Sequence, residues 1–110
     1  MKKDSVYIAQ MLDAIGKIRR FTTGMNRESF FEDDKTQSAV IMQLALIGEL
    51  AKKISSGMKE HIEVPWKDIA GFRDRAIHDY YEVDLDIVWN TVMSDLAVLE
   101  TALRGYGTSE

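Results

Sequence analysis

The sequence predicts an all-α fold, an up-and-down bundle of four main helices with one short extra helix. Three observations lead there. Apolar residues recur at three- and four-residue steps along four stretches. Valines and isoleucines fall on those steps rather than in alternation, so the β signal is weak throughout. Finally, the only proline, Pro65, and three glycines, Gly24, Gly57 and Gly105, fall at the ends of the stretches, where helices start and stop. At 110 residues, 45% apolar and 29% charged, the chain has the size and composition of a single globular domain spanning 1–110.

The first stretch, 5–22, sets Ile8, Met11, Leu12, Ile15, Ile18 and Phe21 on one side and Lys17, Arg19 and Arg20 largely on the other, and Gly24 suits its C-terminal cap. Asn26 caps a short turn through NRESFFED, with Glu28 near the favourable end of the dipole. Asp34 followed by Gln37 resembles a capping box opening the next helix, about 35–55, which buries Val40, Leu44, Ile47, Ala51 and Ile54 and ends near Gly57. Residues 58–64 read as a connection. Pro65 then fits the first turn of a helix running to about Tyr80. Asp84 caps a last helix whose stripe is Leu85, Val88, Trp89, Val92, Leu96, Leu99 and Leu103, closed by Gly105. Gly48 and Gly71 lie inside helices, where each costs about 1 kcal/mol relative to alanine, and both read as points of close helix–helix approach rather than as ligand positions.

Composition excludes several kinds of chemistry. Without cysteine there is no disulfide framework, thiolate metal site or cysteine nucleophile, which favours a cytoplasmic setting. Two histidines, His61 and His78, are too few for a histidine-rich metal centre. No uncharged run approaches the ~20 residues of a membrane span, and MKKDSVYIAQ lacks the apolar core of a signal peptide. Net charge is −4, but residues 1–55 carry nine basic and seven acidic side chains, and 56–110 five and eleven. Any nucleic-acid contact therefore uses a local patch.

The distinctive segment is GFRDRAIHDYY, 71–81, in which Arg73, His78 and Tyr80 form an R-x4-H-x-Y pattern on one predicted helix. On pattern alone it also reads as an ordinary helix end. The histidine favours the negative dipole end, the tyrosine packs with its hydroxyl wet, and Arg75 pairs with Asp79.

RDRAIHDYYEVD nevertheless resembles the motif of the HepT-like family of HEPN ribonuclease toxins, in which R-x4-H-x-Y lies near a helix end of a small all-α domain. LALIGELAKKIS at 44–55, VPWKDIAGFRDR at 64–75 and VDLDIVW at 83–89 resemble the family's other segments, so the likeness covers most of 40–104 in order and spacing. The resemblance implies a HEPN-like bundle that acts as the toxin of a type VII toxin–antitoxin system. Its activity would be that of a metal-independent endoribonuclease without cofactor, acting on RNA. Its partner would be a nucleotidyltransferase antitoxin that transfers AMP to the motif tyrosine. Carried over by position, Arg73 and His78 are catalytic and Tyr80 is the modified residue. Asp74 is a departure, since many relatives carry asparagine there, and an acid would lower phosphate affinity or raise the histidine's pKa. The chemistry suits the residues: RNA supplies its own nucleophile, the 2′-hydroxyl, His78 offers proton transfer near neutral pH, and Arg73 stabilises the charged phosphorus centre. The alternative is a catalytically silent helical module that binds a nucleotidyltransferase.

On an ideal helix Arg73 and Tyr80 nearly eclipse, whereas His78 lies about 140° away from Arg73. Either the last turn departs from ideal geometry or a second subunit faces this helix. Members of the family are homodimers with their motifs at the interface, so the resemblance favours a homodimer. Glu49 is read either as an i,i+4 surface partner of Lys53 or as a partner of Arg73. His61 reads as solvated, Trp66 and Tyr81 as packing residues, and Lys17, Arg19 and Arg20 as a solvated face with RNA phosphate contact as the second reading.

Overall fold

The computed structural model describes residues 2–108, and they form a bundle with no strand among them. The helices are α1 (Lys2–Phe21), α2 (Arg27–Phe31), α3 (Asp34–Lys53), α4 (Ser56–His61), α5 (Trp66–His78), α6 (Leu85–Asn90) and α7 (Leu96–Thr108). A 3-10 turn, Tyr80–Glu82, follows α5, and a π-helical stretch, Thr91–Asp95, joins α6 to α7. The four main helices of the bundle are thus α1, α3, α5 and the run from α6 to α7, as the apolar periodicity predicts.

Helix α3 is central and packs most extensively against α5 and α1, while α7 lies on α1. The predicted stripes supply the core: Ile8, Met11, Ile15 and Ile18 from α1, Val40, Leu44, Ile47 and Ala51 from α3, and Val88, Trp89, Val92, Leu96, Leu99 and Leu103 from the last run are all buried. Phe30 of α2 is fully buried against Trp89, with ring centroids 5.2 Å apart, so even a five-residue helix is anchored by one large apolar group. Phe21 departs from its stripe and is exposed, because α1 ends there and the chain turns at Gly24, whose φ of 77° is the left-handed conformation glycine tolerates.

Several boundaries differ from the sequence reading, each for a local reason. The stretch 58–64 is not a plain connection. Ser55 accepts a hydrogen bond from Met58 N and caps α4, giving the bundle a second short helix. Helix α3 is capped by Asp33 rather than Asp34: Thr36 N donates to Asp33 Oδ1 at 3.0 Å. Gln37 does not close a capping box and instead donates to the Phe30 and Phe31 carbonyls at the end of α2. Gly105 does not stop the last helix, which runs through it to Thr108. Gly71 is not a point of close approach either, since an added Cβ would meet only the Arg75 guanidinium, at 3.6 Å.

Candidate functional site

The site is built on the crossing of α3 and α5, and Gly48 sets how closely they cross. A Cβ at Gly48 would lie 2.6 Å from Arg73 Cβ and 2.7 Å from the Ile69 carbonyl oxygen, far inside van der Waals contact. Only glycine allows α5 to rest its backbone on α3 at this level. The next residue, Glu49, is thereby brought to Arg73, whose Nε lies 3.0 Å from Glu49 Oε1. Of the two readings of Glu49, the structure takes the second: its carboxylate holds Arg73, and no pair with Lys53 forms among the described residues.

Arg73 uses its other side as well. Its Nη1 donates to Asp74 Oδ1 at 3.2 Å, and Lys52 Nζ from the last turn of α3 donates to the same oxygen at 2.5 Å. The hydrogen bond from Lys52 and then that from Arg73 hold the Asp74 carboxyl below its ordinary pKa. Sequence periodicity alone does not single out Lys52. Glu49, Lys52, Arg73 and Asp74 form a four-membered cluster of alternating charge, two cations and two carboxylates, partly open to solvent.

This cluster bears on the 140° that separates Arg73 from His78. Asp74 and His78 stand four residues apart on α5, so they share a face, about 40° apart and one turn along the axis. Arg73 Nη1 thus reaches a residue whose position on an ideal helix is about 40° from that of His78. His78 is exposed and is the final residue of α5.

Tyr80 lies elsewhere than expected. Helix α5 ends at His78, Asp79 leaves it with φ −133° and ψ 51°, and Tyr80 opens the 3-10 turn. The expectation that Tyr80 eclipses Arg73 on one helical stripe is therefore overturned. Its hydroxyl instead lies 3.1 Å from Ser38 Oγ. Ser38 and Glu49 are eleven residues apart on α3, about 16 Å along its axis, so the tyrosine hydroxyl and the arginine are tied to opposite ends of that helix.

Tyr81 is not a packing residue: it is 99% exposed, in a T-shaped arrangement with the Tyr80 ring, centroids 5.8 Å apart. Trp66 does pack, and its Nε1 donates to the Ile62 carbonyl at 2.9 Å. Arg75 lies 6.0 Å from the Phe72 ring, and no pair with Asp79 forms among the described residues. On α1, Arg19 is bound by Glu100 at 2.8 Å and Lys17 lies 3.6 Å from Asp13, both at the surface, while Arg20 is exposed, so the face is solvated with two of its three cations paired among the described residues. His61 is exposed and borders a cleft of about 800 Å³ with Asp4, Ser55 and Tyr106. A second, apolar groove runs past Phe72, Arg75, Leu96 and Leu99. Neither is lined by Arg73, His78 or Tyr80. No group of three or more His, Asp or Glu side chains is arranged to hold a metal ion among the described residues, and no helix there is long and apolar enough to cross a membrane.

Residues 11–105 match the family described as "Ribonuclease HepT-like". Among curated proteins the chain is similar to the "Probable ribonuclease HepT" of Thermococcus cleftensis, 41% identical over 95 residues that cover 86% of each chain. It is also similar to a protein of Methanocaldococcus jannaschii bearing the name "Putative RNase", 34% identical over 109 residues, covering 94% of this chain and 90% of that one. No solved structure matches the chain. With 95 of its residues under the family match and relatives this similar over nearly their whole length, the chain belongs to the HepT-like family.

Proposed function

We propose that this chain is a metal-independent endoribonuclease, the toxin of a type VII toxin–antitoxin pair, with Arg73 and His78 as its catalytic groups. The observation that carries this reading is the Arg73 guanidinium, held by Glu49 through Nε and extended through Nη1 to Asp74, four residues before the exposed His78 on the same helix. In the reaction, the imidazole of His78 takes the proton of an RNA 2′-hydroxyl. The 2′-oxygen attacks the adjacent phosphorus, the bond to the 5′-oxygen breaks, and solvent returns a proton to that oxygen. Arg73 stabilises the negative charge that gathers on the phosphoryl oxygens. The family match and the ribonuclease names of similar proteins support the substrate class. The test is cleavage of RNA in excess chelator with analysis of the ends. A 2′,3′-cyclic phosphate or its hydrolysis product is expected. An absolute need for divalent metal would refute metal independence, and no cleavage would favour the silent, partner-binding module.

In this proposal the partner is a nucleotidyltransferase that transfers AMP to the Tyr80 hydroxyl. Because Tyr80 follows His78 by two residues and sits far from Glu49 along α3, the added nucleotide would cover the approach to the imidazole rather than cap the arginine. It would add about one negative charge there, against an incoming phosphate. Tyr80→Phe keeps the ring but lacks the acceptor oxygen, and should escape inhibition by partner, ATP and magnesium. AMP found by peptide mass spectrometry only on Tyr81 or a serine would refute the assignment.

The same reading makes the protein a cytoplasmic homodimer with the motif face near its interface. Met42 and Leu46 of α3, Ile77 of α5 and Tyr81 are exposed, apolar surface that a second copy would bury. Sedimentation at micromolar concentration should give a dimer, and a fully active monomer at high dilution would contradict it.

A further inference from the structure

Lys52 and Arg73 come from different helices and converge on one oxygen, Asp74 Oδ1, at 2.5 and 3.2 Å. That oxygen is reachable: the side chains of Lys52 and Asp74 are 38% and 50% exposed. An exposed oxyanion held by an ammonium and a guanidinium N–H is the arrangement in which a phosphodiester oxygen is bound. We propose that Asp74 occupies, as a displaceable stand-in, the position of an RNA phosphate oxygen, and that Lys52 is the second phosphate-binding cation beside Arg73. The choice of RNA as ligand rests on the ribonuclease reading above.

The cluster is built to allow the exchange. Arg73 stays fixed when Asp74 leaves, because Glu49 holds Nε from the other side. Asp74 is a short side chain at the surface and needs only a rotamer change to move into water. With its carboxylate in place, the two cations face two carboxylates. Once it swings away they face one, leaving a net positive pocket for the incoming phosphate. The phosphate then lies on the face that Asp74 shares with His78, one helical turn from the imidazole.

The test uses the full chain and two readouts. Binding is measured by fluorescence anisotropy, at several salt concentrations, with a 2′-O-methyl RNA whose nucleophile is blocked. Cleavage is measured on the unmodified RNA. Wild type is compared with Lys52→Gln, Lys52→Arg and Asp74→Asn, each checked for an unchanged melting temperature. Lys52→Gln should weaken binding about three- to tenfold and flatten the dependence of log K on log salt by about 0.7, the loss of one phosphate contact on a single strand. Lys52→Arg should bind as wild type does, and Asp74→Asn should bind about threefold tighter or more. Weaker binding by Asp74→Asn would show that the carboxylate serves to position Arg73, and unchanged binding by Lys52→Gln would remove the lysine from the site. Either result overturns the proposal. Cleavage separates it from the broader reading. A wild type that shows the expected binding pattern but does not cleave would end the ribonuclease reading and leave the phosphate site standing. Full cleavage with binding indifferent to Lys52 would do the reverse, and neither binding nor cleavage would end both.

Discussion

Asp4 and Asp74 each accept two hydrogen bonds, and the contrast between them separates what holds the fold from what is free to act. Asp4, in the first turn of α1, is 2% exposed and accepts from Ser55 N at 3.0 Å and Ser55 Oγ at 2.6 Å. It ties α1 to the junction of α3 and α4. Asp74 lies at the surface and accepts from Lys52 and Arg73. Both carboxyls are held below their ordinary pKa, Asp4 chiefly by the Ser55 hydroxyl against the cost of burial, Asp74 chiefly by Lys52 and then Arg73. Neutral donors around a buried carboxylate cannot be exchanged for water, so that contact belongs to stability. Charged donors around an exposed one can turn to another anion, so that contact contributes little to stability and is available to a ligand.

Substitutions should keep these two regions apart, and the first prediction is the largest. Arg73→Ala should lower RNA cleavage about 10²-fold, nearly 3 kcal/mol of transition-state stabilisation, with little change in melting temperature. Rate and melting curve together check it. Gly48→Ala should breach the separation, because the added Cβ collides with both the backbone of α5 and the base of the Arg73 side chain. We expect about 1–3 kcal/mol of destabilisation by denaturant titration and a fall of about tenfold in cleavage as the arginine is displaced. Asp4→Ala should cost about 1–3 kcal/mol through the unpaired Ser55 donors, with the rate per folded molecule unchanged. The smallest effect is in pH. Because the folded-state pKa of Asp4 lies below the unfolded value of about 3.9, its contribution is complete above that value and is lost as pH falls through the folded-state pKa. Melting temperatures recorded from about pH 5 to about pH 2 should fall less steeply for Asp4→Asn than for wild type.

The helices were legible because their stripes are wide and their ends carry short polar caps, as with Asn26, whose Oδ1 accepts from Ser29 N at 2.8 Å. Where two equivalent residues adjoin, pattern could not choose between them: Asp33 and Asp34 are both plausible caps, and backbone geometry picked the first. The R-x4-H spacing was readable, but the cross-helix partners were not fixed by it. Glu49 could be named only as one of two options, and Lys52 reaches Asp74 through an α3–α5 crossing whose closeness depends on Gly48. Tyr80 was misplaced because periodicity gives no sign that the helix stops at His78 with Asp79 in a non-helical conformation. Tyr81 was misjudged for a related reason: aromatic residues beside a helix end usually pack, and here the 3-10 turn aims the ring at solvent.

We propose above that Arg73 and His78 of α5 cleave RNA without metal. That proposal is tested most directly by the single-turnover rate of RNA cleavage, in excess chelator, by wild type and by His78→Ala of equal melting temperature. Measurable cleavage by wild type is expected, with a loss of about 10²-fold or more in the variant, the effect of removing a proton-transfer group. Equal rates for the two proteins would contradict it.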